Sequence, residues 1–519
     1  MQASQPSFIG DEIGVVLSGA SASLAPIMLR RDRELSVREE DIAVIVDQRL
    51  DHHYLLGVVR WVTRYEPFLK RSIHNIYAER PEALDHELVM PFSNAVVEIY
   101  ASICDGGATC GGRYGIDVNN LAPTPGARVY RVREPDQLTS YLGLSVDDAF
   151  SIGVHKYSGW RLPLNARWTG YHVGVFGATG TGKSRLVLRL ISELMAKGFS
   201  LIVFDHSGVD YAPYAERLGG VTVASKTIRI NPVIYASTMS RYLGLSGYQR
   251  DLVEITAACF AMKVYREQGA QNYSSRECEE LVKPARYARA RSLSHYALGD
   301  RGGDSLRERF LEDLQAVAQQ LNMRDATIAK IRLVAKLSTP PHLFEDLRER
   351  RREPRELVEL ALQKRLVIID MSDEQDIEVK RAILASIAEA GWDMIRSQRT
   401  RINLGLVVDE AQNYACEYCG EAGRALETIA REGRKWNYFI IVASQRVAKD
   451  IRTGVRSNLG TVFFSRLQST GDLQELSGYL DLGRVSETSL AMLGQREFYA
   501  AGLMNPLRRP LLLRIDETG

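Results

Sequence analysis

Residues 177–184 read Gly-Ala-Thr-Gly-Thr-Gly-Lys-Ser, a complete G-x-x-x-x-G-K-[ST] phosphate loop. It stands between an apolar run, Val173 to Phe176, and a helical pattern that begins near Arg185. No other segment constrains the fold as tightly, because such a loop functions where a buried strand ends and a helix starts. Its glycines let backbone N–H groups converge on phosphate oxygens. The Lys183 ammonium can reach the β- and γ-oxygens, and the Ser184 hydroxyl can hold Mg²⁺. The N-terminus of the following helix favours the same negative charge. The expected phosphate-binding set is Gly177, Ala178, Thr179, Gly180, Thr181, Gly182, Lys183, Ser184 and Arg185.

A chain of 519 residues is too long for one compact core and predicts about two to four domains. Its 66 Lys plus Arg against 64 Asp plus Glu leave a formal charge of +2. That balance neither requires nor excludes a polyanionic partner, so a DNA-binding face must be a local arrangement. The N-terminal residues lack the basic and apolar regions of a signal peptide. No segment offers the roughly 18 uninterrupted apolar residues of a membrane span, so the expectation is a cytoplasmic protein with no membrane partner.

The six cysteines, Cys104, Cys110, Cys259, Cys278, Cys416 and Cys419, are too few and too scattered for a disulfide scaffold. Cys416-x-x-Cys419 is half of a zinc pattern, and Cys104 with Cys110 could supply another pair. Structural zinc usually shows two closely spaced ligand pairs with supporting histidines, which argues against a metal here. A local disulfide, as in a thermophile, is the remaining option.

From Ile9 to about Tyr130 the sequence runs in short β-rich pieces separated by turn residues, among them Ile13 to Leu17, Ile42 to Val46 and Leu55 to Val62. This spacing predicts a small β-barrel. Beyond a connection near residue 160, apolar β-rich runs recur at long intervals: Val173 to Phe176, Leu201 to Phe204, Leu366 to Ile369, Leu404 to Val408, Phe439 to Ala443 and Thr461 to Phe464. Continuous apolar strands separated by helical patterns are what a parallel sheet covered on both faces requires. Between Ser237 and Glu359 charged, helix-period sequence takes over, and Leu314, Val317, Ala318 and Leu321 mark an ordinary buried helix face. The Arg348 to Arg355 run reads as a solvated loop, with DNA contact the lesser alternative. The fold class is α/β: a parallel-rich P-loop core over 161–236 and 360–500, an N-terminal barrel and linker over 1–160, and a helical insertion over 237–359. Residues 501–519 form a C-terminal tail or edge strand.

The second chemical element is Leu404 to Gln412, Leu-Gly-Leu-Val-Val-Asp-Glu-Ala-Gln. An apolar strand that delivers adjacent carboxylates at its C-terminal end suits a nucleotide-hydrolysing site, with Asp409 at Mg²⁺ and Glu410 orienting or deprotonating the attacking water. A solvated turn is the plainer alternative for such a pair. Phe439 to Ala443 ends in Ser444-Gln445-Arg446, where the Gln445 amide can sense the γ-phosphate. In Ala430-Arg-Glu-Gly-Arg-Lys435, Arg434 is the candidate for an arginine offered to a neighbouring subunit, against a surface salt-bridge role. Asp205 either supports the metal site or begins a loop, and His206 suits a capping or turn role.

With those residues in place, the chain resembles the HerA family of the HerA/FtsK class of DNA-translocating P-loop ATPases. The resemblance rests on the Gly-Ala-Thr-Gly-Thr-Gly-Lys-Ser184, Val-Val-Asp-Glu-Ala-Gln412, Arg-Glu-Gly-Arg-Lys435 and Val-Ala-Ser-Gln-Arg446 motifs, in family order. It implies a RecA-like core, ATP with Mg²⁺, and a homo-hexamer around double-stranded DNA. It further implies roles for Lys183, Ser184, Glu410, Gln445 and Arg434 in turnover, a small HAS-barrel-like N-terminal domain, and work alongside a NurA-like nuclease in DNA-end processing. The choice of ATP over GTP comes from the resemblance, since the loop reads phosphates and not the base. Two departures stand out. Tyr171-His172 occupies the place of a family basic residue, with Arg167 nearby but out of register, and Asp-His-Ser-Gly-Val-Asp-Tyr211 replaces the family's loop pattern after Phe204. A nucleotide-gated ring scaffold and a secretion-type ATPase are the competing readings.

Overall fold

The computed structural model describes residues 6–50, 53–65, 80, 92–106, 113–270, 273, 305–447 and 450–517. The chain forms two compact units, one of residues 1–193 with 459–519 and the other of residues 194–458.

In the first unit, strands Leu24–Leu29, Ile9–Val16, Arg128–Val132, Ile42–Val46, His53–Tyr65 and Phe92–Asp105 pair in that order, all antiparallel. Phe92–Asp105 also pairs with Leu24–Leu29, which closes the sheet into the expected barrel and removes its edges. Alternate residues such as Ile13, Ile27, Ile45, Leu55, Val97 and Val129 fill the interior. A register shift falls at Gly57, where a side chain would meet the Glu98 carbonyl at 2.3 Å, so only glycine lets the two strands approach there.

The same unit holds a second sheet. Val173–Phe176 runs parallel to Thr461–Phe464, which pairs antiparallel with Glu497–Gly502. Leu511–Ile515 follows, with Glu497–Gly502 on one side and Gly153–His155 on the other. The C-terminal segment expected as a tail or edge strand is therefore an interior strand, because a short stretch just after residue 150 pairs with its outer side. A buried ionic group ties barrel to sheet. Arg60 bonds to Glu98 at 3.1 Å, to Glu40 and to the Tyr100 hydroxyl at 2.9 Å, while the Tyr499 hydroxyl donates to Glu40 at 2.7 Å. Removing one member of such a group strands a buried charge, at about 3–5 kcal/mol.

The second unit is built on five parallel strands in the order Val221–Ala224, Leu366–Asp370, Ser200–Asp205, Leu404–Val408, Tyr438–Ser444. Every residue of the last three is buried, which explains their unbroken apolar sequence. Helices Pro232–Leu243, Tyr248–Glu267, Leu306–Gln320 and Asp325–Ser338 occupy the charged stretch. Leu314, Val317 and Ala318 are buried as their spacing predicts, and Phe260, Phe310 and Phe344 form an aromatic cluster.

One expectation is corrected in part here, and one open option is decided. The arginine run is solvated only in part: Arg348, Arg351, Arg352 and Arg355 are exposed, but Arg350 is buried, donates to the Ser225 and Ile228 carbonyls and pairs with Glu374 at 3.1 Å, and Arg352 bridges to Ile228. Cys416 and Cys419 form a disulfide, and Cys104 and Cys259 are disulfide-bonded as well. Cys110 and Cys278 lie outside the described residues. No helix among the described residues is long and apolar enough to cross a membrane.

Candidate functional site

The phosphate loop leaves the buried strand Val173–Phe176 and enters the helix Lys183–Ala196. Its turn needs left-handed backbone at Gly180 (φ 79°) and Gly182 (φ 96°), which glycine adopts without steric cost. The loop is held from within and from the adjoining sheet. The Thr181 hydroxyl donates to the Ala178 carbonyl at 2.8 Å, Ala178 N–H donates to the Arg466 carbonyl at 2.6 Å, and Arg496 N–H donates to the Thr181 carbonyl at 2.8 Å. Lys183 Nζ donates to the Gly177 carbonyl at 2.8 Å and to that of Ala178 at 3.3 Å, so the ammonium lies folded over the loop. Ser184 opens the helix half-buried, Arg185 is exposed, and Thr179 and Gly180 form the exposed tip. Before the strand, Tyr171 accepts Gly460 N–H through its carbonyl, and Arg167 is spent on Asp148 at 2.7 Å.

In the second unit the chemistry gathers at strand C-termini. Phe204 pairs with Val408 across parallel strands, so the next residues, Asp205 and Asp409, fall side by side. Open parallel sheets present their ligands at this end. Asp210 joins them, and oxygens of Asp205, Asp210 and Asp409 lie within 4.8 Å of one another. The loop geometry explains how. Asp205 accepts N–H groups of Gly208 at 3.0 Å and of Tyr211 and Ala212 at 2.9 Å, which curls residues 206–212 back on the strand end. Asp205 therefore starts the loop, as one of its two expected roles has it, and lies in the acidic group. Burial first, and then the neighbouring Glu410 charge, push the Asp409 carboxyl up to about 7. Three convergent acids with one reluctant to ionise fit a divalent cation, which would offset their mutual repulsion.

Glu410 takes a left-handed backbone (φ 45°, ψ 47°), an arrangement costing a non-glycine residue roughly 1–2 kcal/mol. Non-glycine residues held this way cluster at functional sites. Its carboxylate accepts from the Gln412 amide and, at 3.4 and 3.5 Å, from that of Gln445. Gln412 in turn accepts from the buried Ser444 hydroxyl at 2.8 Å. The ends of the two strands are thus tied together through the Glu410 side chain. His206 shares a 2.8 Å hydrogen bond with the Tyr414 hydroxyl, and burial, then the Lys380 charge, lower its pKa. Arg434 sits exposed on the turn Gly433–Trp436.

The structure thus brings Asp409, Glu410 and Gln445 together in one unit and sets Lys183 and Ser184 on the phosphate loop of the other. Sequence reasoning missed Asp210, Gln412 and Ser444 as partners. Gln412 and Ser444 stood inside quoted motifs. Asp210 gave only a weak signal, a second acid five residues past the strand-end Asp205.

Fold and loop together define a RecA-like P-loop α/β protein. Residues 150–390, just under half of the chain, match the family model described as the central domain of helicase HerA. The structure of VirB4 from Thermoanaerobacter pseudethanolicus superposes with a TM-score of 0.50 at 16% identity, covering 72% of this chain and 98% of that one. The plasmid coupling protein TrwB in complex with ADP and Mg²⁺ aligns at a TM-score of 0.42 and 16% identity, over 71% of this chain and 90% of that one. Protein TraC of Escherichia coli (strain K12) is 38% identical over 64 residues, 12% of this chain. The chain spans 7% of TraC's length.

Proposed function

We propose that the chain is a ring-forming ATPase that moves double-stranded DNA. One observation carries the reading: a complete phosphate loop in a chain whose parallel-sheet unit converges Asp205, Asp210 and Asp409 beside a strained Glu410. The loop amides and Lys183 bind the β- and γ-phosphates of ATP. Ser184 on the loop and, on the other unit, the Asp409 group are the residues that would hold Mg²⁺, which would supply positive charge against the phosphate oxygens. Glu410 orients the attacking water and takes its proton. Gln445, already in reach of Glu410, reports loss of the γ-phosphate to the strand end that carries it.

Arg434, exposed on its turn, is offered to the nucleotide of a neighbouring subunit, where an arginine of this kind contributes about 10³–10⁵ in rate. That requirement, with the family match, supports a homo-hexamer encircling DNA and, as a further part of the proposal, a NurA-like nuclease as its partner in end processing. The domain reading carries over as proposed: barrel and linker over 1–160, core over 161–236 and 360–500, helical insertion over 237–359.

The test is ATP hydrolysis by the purified chain with and without linear duplex DNA, with native mass measured in parallel. DNA-stimulated hydrolysis by a ring is expected; hydrolysis indifferent to DNA contradicts the translocase reading. A secretion-type ATPase is the alternative reading, for which hydrolysis answers to membrane vesicles and not to DNA.

A further inference from the structure

The Cys416–Cys419 disulfide closes the segment that begins at Glu410, and neither the family match nor the proposed turnover gives it a role. Backbone hydrogen bonds order two successive turns, one beginning at the acid and one closed by the disulfide. Asn413 N–H donates to the Glu410 carbonyl at 2.8 Å, Ala415 N–H to the Ala411 carbonyl at 2.7 Å, and Cys419 N–H to the Cys416 carbonyl at 3.1 Å. Cys416 N–H also donates to Cys419 Sγ at 3.1 Å. Arg381 Nε holds the Asn413 carbonyl at 2.7 Å. A cross-link over a sequence separation of three removes little entropy from the unfolded chain, since that gain grows with loop length. Its effect is therefore local, on the conformation of residues 410–419.

The two sulfurs are also placed for a second state. Cys419 Sγ lies 3.2 Å from the Asn413 carbonyl oxygen, yet a disulfide sulfur has no hydrogen to donate. Reduction creates an S–H with an acceptor already in place. Cys416 Sγ has Arg381 Nη2 at 3.8 Å, a cation beside the sulfur that becomes a thiol. Cys419 is fully buried, whereas Cys416 is only half-buried and followed by exposed Glu417 and Tyr418, so an incoming thiol meets Cys416 first. A reduced form with ready partners makes a disulfide easier to reduce.

We propose that Cys416–Cys419 is a reversible dithiol–disulfide site that sets the position of Glu410, the oxidised form being the one competent for turnover. Reduction takes two electrons from a dithiol. One thiolate of the reductant attacks Cys416 Sγ, the S–S bond breaks, and Cys419 leaves as a thiolate and takes up a proton. The reductant's second thiol then displaces Cys416, which leaves protonated, and the reductant ends as its own disulfide. With the cross-link gone, the new Cys419 S–H shares the Asn413 carbonyl with Arg381, and the peptide anchoring Glu410 shifts. The kinetic consequence rests on the ATPase reading; the thiol chemistry and loop response do not.

The experiment equilibrates the full-length protein in dithiothreitol buffers of graded poise. Reduction of the pair is followed by alkylation and peptide mass, amide exchange over 410–419 by mass spectrometry, and nucleotide Kd and kcat on the same samples. A Cys416→Ser, Cys419→Ser double variant, checked by circular dichroism, separates this pair from the other disulfides. Expected are reduction without unfolding, faster exchange across 410–419, and a kcat lower by on the order of 10- to 100-fold with Kd unchanged, as for a misplaced catalytic group. The double variant should sit at the low rate and not respond to dithiothreitol. Resistance of the pair until the chain unfolds, unchanged exchange on reduction, or equal kcat in both forms overturns the proposal. If the oxidised chain hydrolyses nothing, the ATPase reading fails, and the exchange result alone decides the loop response.

Discussion

The phosphate loop and the acidic strand ends are built from different material. In the loop the polar groups are main-chain amides, shaped by glycines at positive φ and held by carbonyl contacts to Arg466 and Arg496. At the strand ends they are side chains, Asp205, Asp210, Asp409 and Glu410, where burial first and then the neighbouring Glu410 charge let the Asp409 carboxyl keep its proton to about 7. A backbone cradle carries no net charge and needs no counter-ion to be stable. A cluster of buried carboxylates is incomplete without a cation or a proton. The loop should thus respond to loss of a side chain mainly in affinity for phosphate, and the acids should respond to pH and to divalent cations.

The largest expected effect falls on the loop. Lys183→Ala should weaken nucleotide binding by on the order of 100-fold or more, the scale for removing a charged partner of a bound charge. A fluorescent nucleotide titration checks this; wild-type affinity in the variant would make the loop a structural turn only. A smaller effect distinguishes the acids. Because the folded Asp409 carboxyl holds its proton to about 7 against an ordinary 3.8, protons and Mg²⁺ compete for it. Hydrolysis at sub-saturating Mg²⁺ should rise by up to about tenfold per pH unit below 7 and level off above it. Asp409→Asn should flatten that profile. Without a cation the same shift works in reverse on stability: its contribution is fully present below pH 3.8 and lost as pH rises through about 7. A Mg²⁺-dependent rate with no pH response in this window would erase the contrast between the two regions.

Much of this was legible in the sequence because the signals are local. A glycine-rich octapeptide after an apolar run, and an Asp-Glu pair after another, fix strand ends without knowledge of the rest of the chain. The barrel was legible for the same reason, in short strands with turns between them. What escaped the sequence depends on contacts between distant segments. Leu511–Ile515 looked like a tail because its outer partner, Gly153–His155, lies more than 350 positions earlier. Arg350 looked solvated because its acceptors at Ser225, Ile228 and Glu374 come from two other segments. Asp210 became a member of the acidic group only through a turn organised by Asp205. The left-handed backbone at Glu410 has no compositional signal, since glutamate seldom adopts it.

The central claim is that Glu410 drives turnover while the phosphate loop binds nucleotide. Single-turnover ATP hydrolysis by Glu410→Gln, with nucleotide Kd measured on the same protein, tests it most directly. Glutamine keeps the size and hydrogen-bonding reach of Glu410 but cannot take the proton of the attacking water. The account predicts hydrolysis slower by about 10²–10⁴-fold with Kd within a few-fold of wild type. Hydrolysis at the wild-type rate in this variant would contradict it.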